Sequence, residues 1–167
     1  MTQPYKIPDA TTIGHVHLKV ANIDRALKFY QDLLGFDIIM RRGDEAVFLS
    51  AGGYHHHIAL NTWHSKDMPP APKNAAGLFH IAILYPTRKD LSVILRRLMD
   101  AGVTLEGSAD HGVSEALYFN DPDQNGIELY WDKPKSDWPH SEDGMLTMIN
   151  KPLDIDGLLA ETAPDLT

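Results

Sequence analysis

The sequence contains no cysteine among its 167 residues. Disulfide bonds, thiolate metal sites and a cysteine nucleophile are therefore excluded, and the absence is typical of proteins in a reducing compartment. No stretch approaches the roughly 18 consecutive apolar residues of a membrane-spanning helix, and no basic segment followed by an apolar run opens the chain. We therefore predict a cytoplasmic protein without a signal peptide and without a membrane partner.

Positive charge is also scarce, with 15 Lys and Arg against 23 Asp and Glu and a formal net charge of −8. Nucleic acids and anionic membranes bind basic protein faces, so neither is expected as a partner. The length suits one domain with a sizeable core. We predict a single domain over residues 10–132, followed by a tail over 133–167 that ends in a short helix from Asp154 or Asp156.

The main positive feature of the sequence is an internal duplication. When His15 is aligned with His80, each half shows an apolar strand, a turn, an amphipathic helix and a glycine. The match continues, because "AVFLS" aligns with "ALYFN" and "HIALN" aligns with "GIELY". The sequence therefore predicts an α+β fold of two tandem βαβββ modules over 12–61 and 77–132, joined by a proline-containing linker over 62–76.

The ends of both long helices carry recognisable signals. Asn22 or Asp24 can cap the first helix, and Gly35 can end it. Thr87 with Asp90 resembles a capping box for the second helix, and a glycine at position 102 can stop it.

Three polar residues fall at related positions of the two modules. Side chains alternate between the two faces of a strand, so His15, His80 and Glu128 can point into the concave pocket between the modules. Burying a carboxylate without a partner is costly, so a metal or a cation is expected beside Glu128. Two histidines and one carboxylate form the set that binds non-haem iron(II) or manganese(II). The alternative is three separate polar residues on half-exposed strands.

At these residues the chain resembles the vicinal oxygen chelate superfamily over about residues 12 to 132. The stretches that carry the resemblance are "GHVHLKV", "FYQDLLGF", "LFHIAIL" and "LYFNDPDQNGIELYW". The resemblance implies an open barrel-like sheet around a metal held by His15, His80 and Glu128, with iron(II) preferred and manganese(II) as the alternative. Ala59 aligns with Glu128, and alanine cannot supply the fourth ligand that glyoxalase I uses.

Within that superfamily the chain is similar to single-domain members of the type I extradiol, catechol-2,3-dioxygenase-like group. The resemblance implies cleavage of catechol-type diols with dioxygen, and homodimers are common in such proteins. The order of His111, Tyr118, "DP" and Glu128 follows the extradiol signature, although "DPDQN" has glutamine where the signature has glycine. The alternatives are a glyoxalase-like lyase, a thiol transferase, an epimerase or a small-molecule-binding protein.

The acid or base of such a reaction is expected among the histidines, which exchange protons near neutral pH. The resemblance gives Tyr118 a hydrogen bond to a substrate oxygen, and His111 can border the cavity. "GGYHHHIALN" is predicted to lie in a strand, so alternation places His55 and His57 on the pocket face with Ala59. His56 would then face away as a bystander, and His17 would line the pocket or be an ordinary strand residue.

Overall fold

The computed structural model describes residues 4–162. It contains two four-stranded mixed sheets that do not close on each other, in the orders β1-β4-β3-β2 and β5-β8-β7-β6. The strands of the first sheet are β1 (Val16–Lys19), β2 (Asp37–Arg42), β3 (Ala46–Ser50) and β4 (Ile58–Asn61). Those of the second are β5 (Ile81–Leu84), β6 (Gly107–Asp110), β7 (Ser114–Asn120) and β8 (Gly126–Asp132). The predicted α+β class with two βαβββ modules is confirmed.

Each module has its helix between its first and second strands. Helix α1 (Ile23–Leu27) begins after Asn22, whose side chain accepts a hydrogen bond from the backbone of Arg25. It continues as a π-helical turn over Lys28–Leu33 before Gly35, which has a φ of 86°. Asn22 is therefore the N-cap of the two candidates, because its side chain makes the capping bond.

Helix α2 (Arg88–Asp100) begins after Thr87, as predicted. The Thr87 hydroxyl accepts a hydrogen bond from the Asp90 backbone and donates one to the Asp90 carboxylate. Gly102 follows the helix with a φ of 70°, a conformation that glycine adopts without strain. A third helix, α3 (Ile155–Ala160), lies in the tail and is capped by Asp154. No helix within residues 4–162 is both long enough and apolar enough to cross a membrane.

The strand registers show which residues are equivalent in the two modules. In the first sheet, His17 lies opposite Ala59 in a parallel pair, and in the second, Ala82 lies opposite Glu128 in the same way. Ala59 therefore occupies the position that Glu128 occupies in the other module. His15 and His80 each lie one residue before the first strand of their module.

One hydrophobic cluster spans both modules and lies on the helix-covered faces of the sheets. Its fully buried members include aromatic and aliphatic residues from each half: Tyr30, Leu49, Leu60, Leu91, Leu95, Phe119 and Leu129. Burying such side chains supplies most of the free energy that stabilises a fold. Because the cluster occupies one face of each sheet, the opposite faces remain available for polar and functional side chains.

A buried polar junction joins the first helix to the turn between β7 and β8. The Tyr30 hydroxyl donates to Asp121 Oδ2 at 2.8 Å. Asp123 Oδ1 accepts from the Ala21 backbone at 2.9 Å and from the Arg25 guanidinium at 2.5 Å. These contacts connect residues about a hundred positions apart, so they fix one module against the other.

The prediction that the histidine run lies inside a strand is wrong. β4 begins at Ile58, and the preceding residues form an irregular turn. Gly52 and Gly53 have φ values of 68° and 80°, which extended strands do not contain. Strand alternation therefore does not apply to the three histidines, and their directions have to be taken from their contacts.

The tail returns over the second module and is held there by arginines of α2. Arg88 donates to Glu115 at 2.7 Å, to the Gly157 carbonyl at 3.1 Å and to Glu161 at 2.8 Å. Arg96 donates to the Leu159 carbonyl at 2.6 Å. Because these bonds fix α3 on α2, the chain between β8 and α3 is constrained at both ends.

Replacing Arg88 with alanine should destabilise the protein by about 1 to 3 kcal/mol, because it leaves the Glu115 carboxylate buried without its cation. Only 11% of the Glu115 side chain is exposed. Arg41→Ala is the matched control, because Arg41 pairs only with carboxylates that are largely exposed, and it should change stability by less than about 1 kcal/mol. Urea unfolding measures both, and equal effects would contradict the role assigned to Arg88.

Candidate metal and substrate site

The open face of the second sheet carries the polar residues that the sequence singles out. Tyr118 lies directly opposite Glu128 in the antiparallel pair of β7 and β8, so both side chains project from the same face. Ala82, on the neighbouring strand, lies opposite Glu128 on its other side. Alanine leaves room above the sheet, and His80 fills the space beside the carboxylate.

A continuous chain of close polar contacts joins four of these groups. Glu128 Oε2 lies 2.9 Å from His80 Nε2, and Glu128 Oε1 accepts from the Tyr118 hydroxyl at 3.0 Å. The Tyr118 oxygen in turn lies 2.8 Å from His111 Nε2. His111 Nδ1 lies 3.2 Å from the carbonyl oxygen of Ile149. A change in the proton position at one end of this chain therefore affects the hydrogen bonds along its length.

The carboxylate and the imidazole fit a divalent metal in their chemistry. Only 12% of the Glu128 side chain and 31% of the His80 side chain are exposed, so the pair is shielded from water. Within residues 4–162, His80 Nδ1 is a buried nitrogen without a hydrogen-bond partner. The ring can therefore make one further bond. Imidazole nitrogen together with carboxylate oxygen is a donor set that iron(II) and manganese(II) bind.

His15, the third predicted ligand, does not join this pair. It is exposed, and its ring centroid lies 4.3 Å from that of His56 and 6.4 Å from that of His55. In the described part of the chain no three His, Asp or Glu side chains are close enough together to hold a metal ion. The structure thus brings together His80 and Glu128, and the three-residue ligand set remains a prediction.

The three consecutive histidines have different surroundings. His56, expected to face away, packs its ring against both His15 and Phe48 and is hydrogen-bonded to His55, with 2.8 Å between their Nδ1 atoms. His57 turns back toward its own module, where its Nδ1 accepts a hydrogen bond from the Ala51 backbone at 3.3 Å. The expectation for His56 is corrected, because it belongs to the same cluster as His15.

Burial shifts the pKa of several of these groups. It lowers the pKa of His17 and of His56, and the neighbouring His15 adds to both effects. These two rings are therefore neutral at neutral pH and can bind as ligands or acceptors. Burial, together with the bond to Glu128, raises the pKa of Tyr118 above its usual value. Tyr118 thus keeps its proton and acts as a hydrogen-bond donor.

Two contacts around the candidate site were not predicted from the sequence. They are the packing of His56 against His15 and the contact between the His111 ring and the Ile149 carbonyl. His56 was missed because the strand assumption placed it on the wrong face, although the glycine pair before it is a turn signal. The Ile149 carbonyl was missed because a backbone acceptor 38 residues away from His111 leaves no trace in the sequence.

The comparisons with known proteins identify the family of the chain. Residues 12–129 match the model of the Glyoxalase/Bleomycin resistance protein/Dioxygenase superfamily. The chain is 38% identical over 95% of its length to a catechol-2,3-dioxygenase from Bacillus subtilis (strain 168), of which it covers 55%. It is 29% identical to biphenyl-2,3-diol 1,2-dioxygenase 3 from Rhodococcus globerulus, with 78% of this chain and 71% of that protein covered. The chain thus spans about half the length of the Bacillus subtilis relative.

More distant matches have several functions. A manganese-dependent 2,3-dihydroxybiphenyl 1,2-dioxygenase from Geobacillus genomosp. 3 is 27% identical, with 74% of this chain and 38% of that protein covered. A metallothiol transferase from Staphylococcus epidermidis is 26% identical, with 73% of this chain and 82% of that protein covered. For the fold, a glyoxalase/dioxygenase structure from Nostoc punctiforme aligns with a TM-score of 0.64 at 14% identity, covering 80% of this chain and all of that one. The chain belongs to the glyoxalase/bleomycin resistance protein/dioxygenase superfamily.

Proposed function

We propose that the protein is a metal-dependent extradiol dioxygenase that opens the ring of catechol-type diols. The observation that carries this proposal is the Glu128 carboxylate, which has His80 on one oxygen and Tyr118, backed by His111, on the other. Ligands for a metal and a proton-handling pair therefore meet at one carboxylate. The names of the dioxygenase relatives support the reaction class.

In this proposal His15, His80 and Glu128 hold iron(II), or manganese(II) as the alternative. His15 contacts His56 in the structure, so binding a metal with the pair requires its side chain to leave His56. When bound, the metal supplies a common binding point for the two oxygens of the diol and for dioxygen, which removes much of the entropy cost of bringing them together. Both oxygen atoms enter the product, so no external reductant is required.

The side chains of the protein orient the substrate and transfer protons. Tyr118 holds its proton at neutral pH and can donate a hydrogen bond to a substrate oxygen beside Glu128. His111 lies behind Tyr118 and can take up or return a proton through that hydroxyl. His55 and His57 remain candidates for a second proton transfer, and His56 joins them through its contact with His15.

Apolar groups suited to an aromatic ring lie on the same faces. Phe48 and Trp63 have their ring centroids 6.1 Å and 5.3 Å from that of His17, and Leu84 is 52% exposed at the end of β5. A planar diol is the kind of ligand that such surfaces bind while a few polar groups fix its orientation. The homodimer that the resemblance implies is also part of the proposal.

Five of the six arginines are engaged away from this site, which favours a diol over a phosphonate or a coenzyme A ester as substrate. The exception is Arg42, which lies exposed at the end of β2. The anionic substrates of thiol transferases and epimerases require cations beside the metal. Arg25, Arg41 and Arg88 are paired with carboxylates outside the site. Arg96 and Arg97 donate to backbone carbonyls of Leu159 and of the residues that end the first helix.

The test is to load the protein with iron(II) without oxygen, add catechol or 2,3-dihydroxybiphenyl in air, and record oxygen consumption and yellow product. We expect one molecule of dioxygen to be consumed for each diol that disappears. Parallel loading with manganese(II) distinguishes the two metals. Stoichiometric metal without oxygen uptake on several diols would contradict the proposed function.

A further inference from the structure

We propose that Ile149, held in place by the neighbouring pairing of Lys151, is a positioning element of the tail that fixes the proton arrangement of His111. The inference rests on the proposed function, because it concerns how His111 exchanges protons with the site. It goes beyond the ligand set and the reaction class, since it assigns a role to a part of the tail that lies outside both modules.

The tail pairs with the end of β6 through one isolated antiparallel bridge. The Asp110 backbone donates to the Lys151 carbonyl at 2.9 Å and accepts from the Lys151 backbone at 3.0 Å. The Ile149 backbone donates to the His111 carbonyl at 3.0 Å. His111 is therefore bonded to Ile149 twice, once through its backbone and once through its ring.

The contact with Ile149 favours one tautomer of His111, and it competes with the Tyr118 hydroxyl, whose single proton lies between His111 Nε2 and Glu128 Oε1. A carbonyl oxygen only accepts hydrogen bonds, so the Ile149 carbonyl requires a proton on Nδ1. In the neutral ring Nε2 then has a free lone pair, and it faces the Tyr118 hydroxyl at 2.8 Å. The tail thus directs the basic nitrogen of His111 toward the site.

Tyr118 transmits the state of that nitrogen to Glu128. Its hydroxyl has one proton and two acceptors within reach, His111 Nε2 at 2.8 Å and Glu128 Oε1 at 3.0 Å. When His111 is neutral, the hydroxyl proton can point to the ring. When the ring takes up a proton, Nε2 becomes a donor and the hydroxyl proton turns to Glu128.

His57 provides an internal contrast. Its Nδ1 lies 3.3 Å from the Ala51 backbone amide, which only donates, and 3.1 Å from the Ser50 hydroxyl, which can donate or accept. The amide favours a neutral His57 with its proton on Nε2. The two candidate acid and base histidines are thus held in opposite tautomers. His57 presents a donor and His111 presents an acceptor, which is the pairing that an acid and a base require.

Packing keeps the tail in place at this point. Gly112 has a φ of 78°, and a Cβ added there would lie 3.0 Å from Ile149 Cγ1 and 3.0 Å from Pro139 Cγ. Lys133 donates to both oxygens of Asp110, at 2.7 and 2.8 Å. These contacts hold the tail on the turn that carries His111, so the carbonyl position does not depend on the ring alone.

The experiment is ¹⁵N NMR of the histidine rings, both in the metal-free protein and with zinc(II) bound. We expect His111 to be mainly the Nδ1–H tautomer and His57 mainly the Nε2–H tautomer, because the Ile149 carbonyl only accepts and the Ala51 amide only donates. A His111 ring that is mainly Nε2–H at neutral pH would overturn the proposal. The NMR measurement does not require catalytic turnover, so its result tests the tautomer of His111 independently of the proposed function.

Ile149→Pro removes the amide that pairs with His111 and should release the ring into a mixture of tautomers. With iron(II) bound, we expect kcat to fall about 10- to 100-fold and KM to stay within about twofold, because proton transfer is impaired rather than binding. Met148→Pro is the matched control, since the Met148 side chain is 66% exposed and, within residues 4–162, its amide makes no hydrogen bond. It should leave the His111 tautomer unchanged.

Gly112→Ala is a second variant, which displaces Ile149 by steric contact and keeps every backbone amide. It should also mix the His111 tautomers while the His57 ring is unaffected. If either folded variant keeps His111 as pure Nδ1–H, the tail does not set the tautomer and the inference is wrong. If the tautomers change as expected but the wild-type protein does not consume oxygen with any diol, the proposed function fails and the positioning role stands.

Discussion

Glu128→Ala is expected to stop the protein from retaining iron(II) and to lower kcat/KM for catechols by more than about 1,000-fold, since losing a ligand exceeds the 10- to 100-fold effect of losing a residue behind one. The substitution removes the only anionic ligand of the proposed set. It also removes the carboxylate beside His80 Nε2 and one of the two acceptors within reach of the Tyr118 hydroxyl. Metal content after gel filtration and initial rates of oxygen uptake measure the two effects separately.

Two further variants distinguish the loss of the Glu128 charge from a general loss of folded structure. Glu128→Gln keeps the volume and one acceptor oxygen, so it should preserve the fold while metal retention is lost. Glu106→Ala removes an exposed carboxylate from the same sheet, where Glu106 accepts from the Asn120 side chain at 3.0 Å. It should bind metal and turn over like the wild type. Stoichiometric iron in Glu128→Ala would show that the ligand set is wrong.

The internal duplication made much of the fold predictable from the sequence. Once His15 was aligned with His80, the order of strands and helix along each half and the equivalence of Ala59 with Glu128 followed, and the strand registers agree. Repeats are informative in this way because both halves form the same arrangement of strands and helix, so an element predicted in one half can be checked against the other. The facing positions of Tyr118 and Glu128 follow from the same pattern.

What the sequence did not predict depends on local backbone geometry and on distant contacts. Strand alternation failed at the histidine run because Gly52 and Gly53 take up positive φ and turn the chain before β4. The bond between His111 and the Ile149 carbonyl joins the second module to the tail, and no periodicity encodes such a pairing. Those two features decide which histidine contacts His15 and which backbone group the His111 ring contacts.

The largest effect on stability is expected from Asp121→Ala, which should lower the free energy of unfolding by about 3 to 5 kcal/mol, because it leaves several buried donors without an acceptor. Asp121 is 2% exposed. Its Oδ1 accepts from the backbones of Asp123 and Asn125, each at 2.8 Å, and its Oδ2 accepts from the Asn125 amide at 2.8 Å and from Tyr30. The substitution therefore removes the bonds that hold the turn between β7 and β8 and also the bond from Tyr30 that joins this turn to the first module.

Tyr30→Phe isolates the link between the modules, because it removes one donor and leaves the turn bonds of Asp121 in place. It should destabilise the protein by about 1 to 2 kcal/mol. In the double variant the two effects should be clearly less than additive, since both substitutions break the same bond. Additive effects in urea unfolding would show that the Tyr30 hydroxyl does not depend on Asp121.

The same carboxylate gives a pH dependence whose sign can be stated. Burial raises the pKa of Asp121 above its ordinary value of 3.8, although the bonds from Asn125 and Tyr30 oppose this shift. A raised pKa means that the folded protein binds this proton more readily than the unfolded chain does. The contribution of Asp121 to stability is therefore greatest below its unfolded pKa and falls as the pH rises through its folded pKa.

Asp121→Asn removes that titration while keeping the side-chain volume. Its deficit in stability relative to the wild type should be larger at pH 4 than at pH 7, because only the wild type loses stability as Asp121 ionises. The other carboxylates titrate in both proteins, so their contributions cancel when the free energies of unfolding are subtracted at each pH. Urea unfolding at the two pH values measures the deficit. A deficit that grows toward neutral pH would mean that the hydrogen bonds to the carboxylate outweigh its burial.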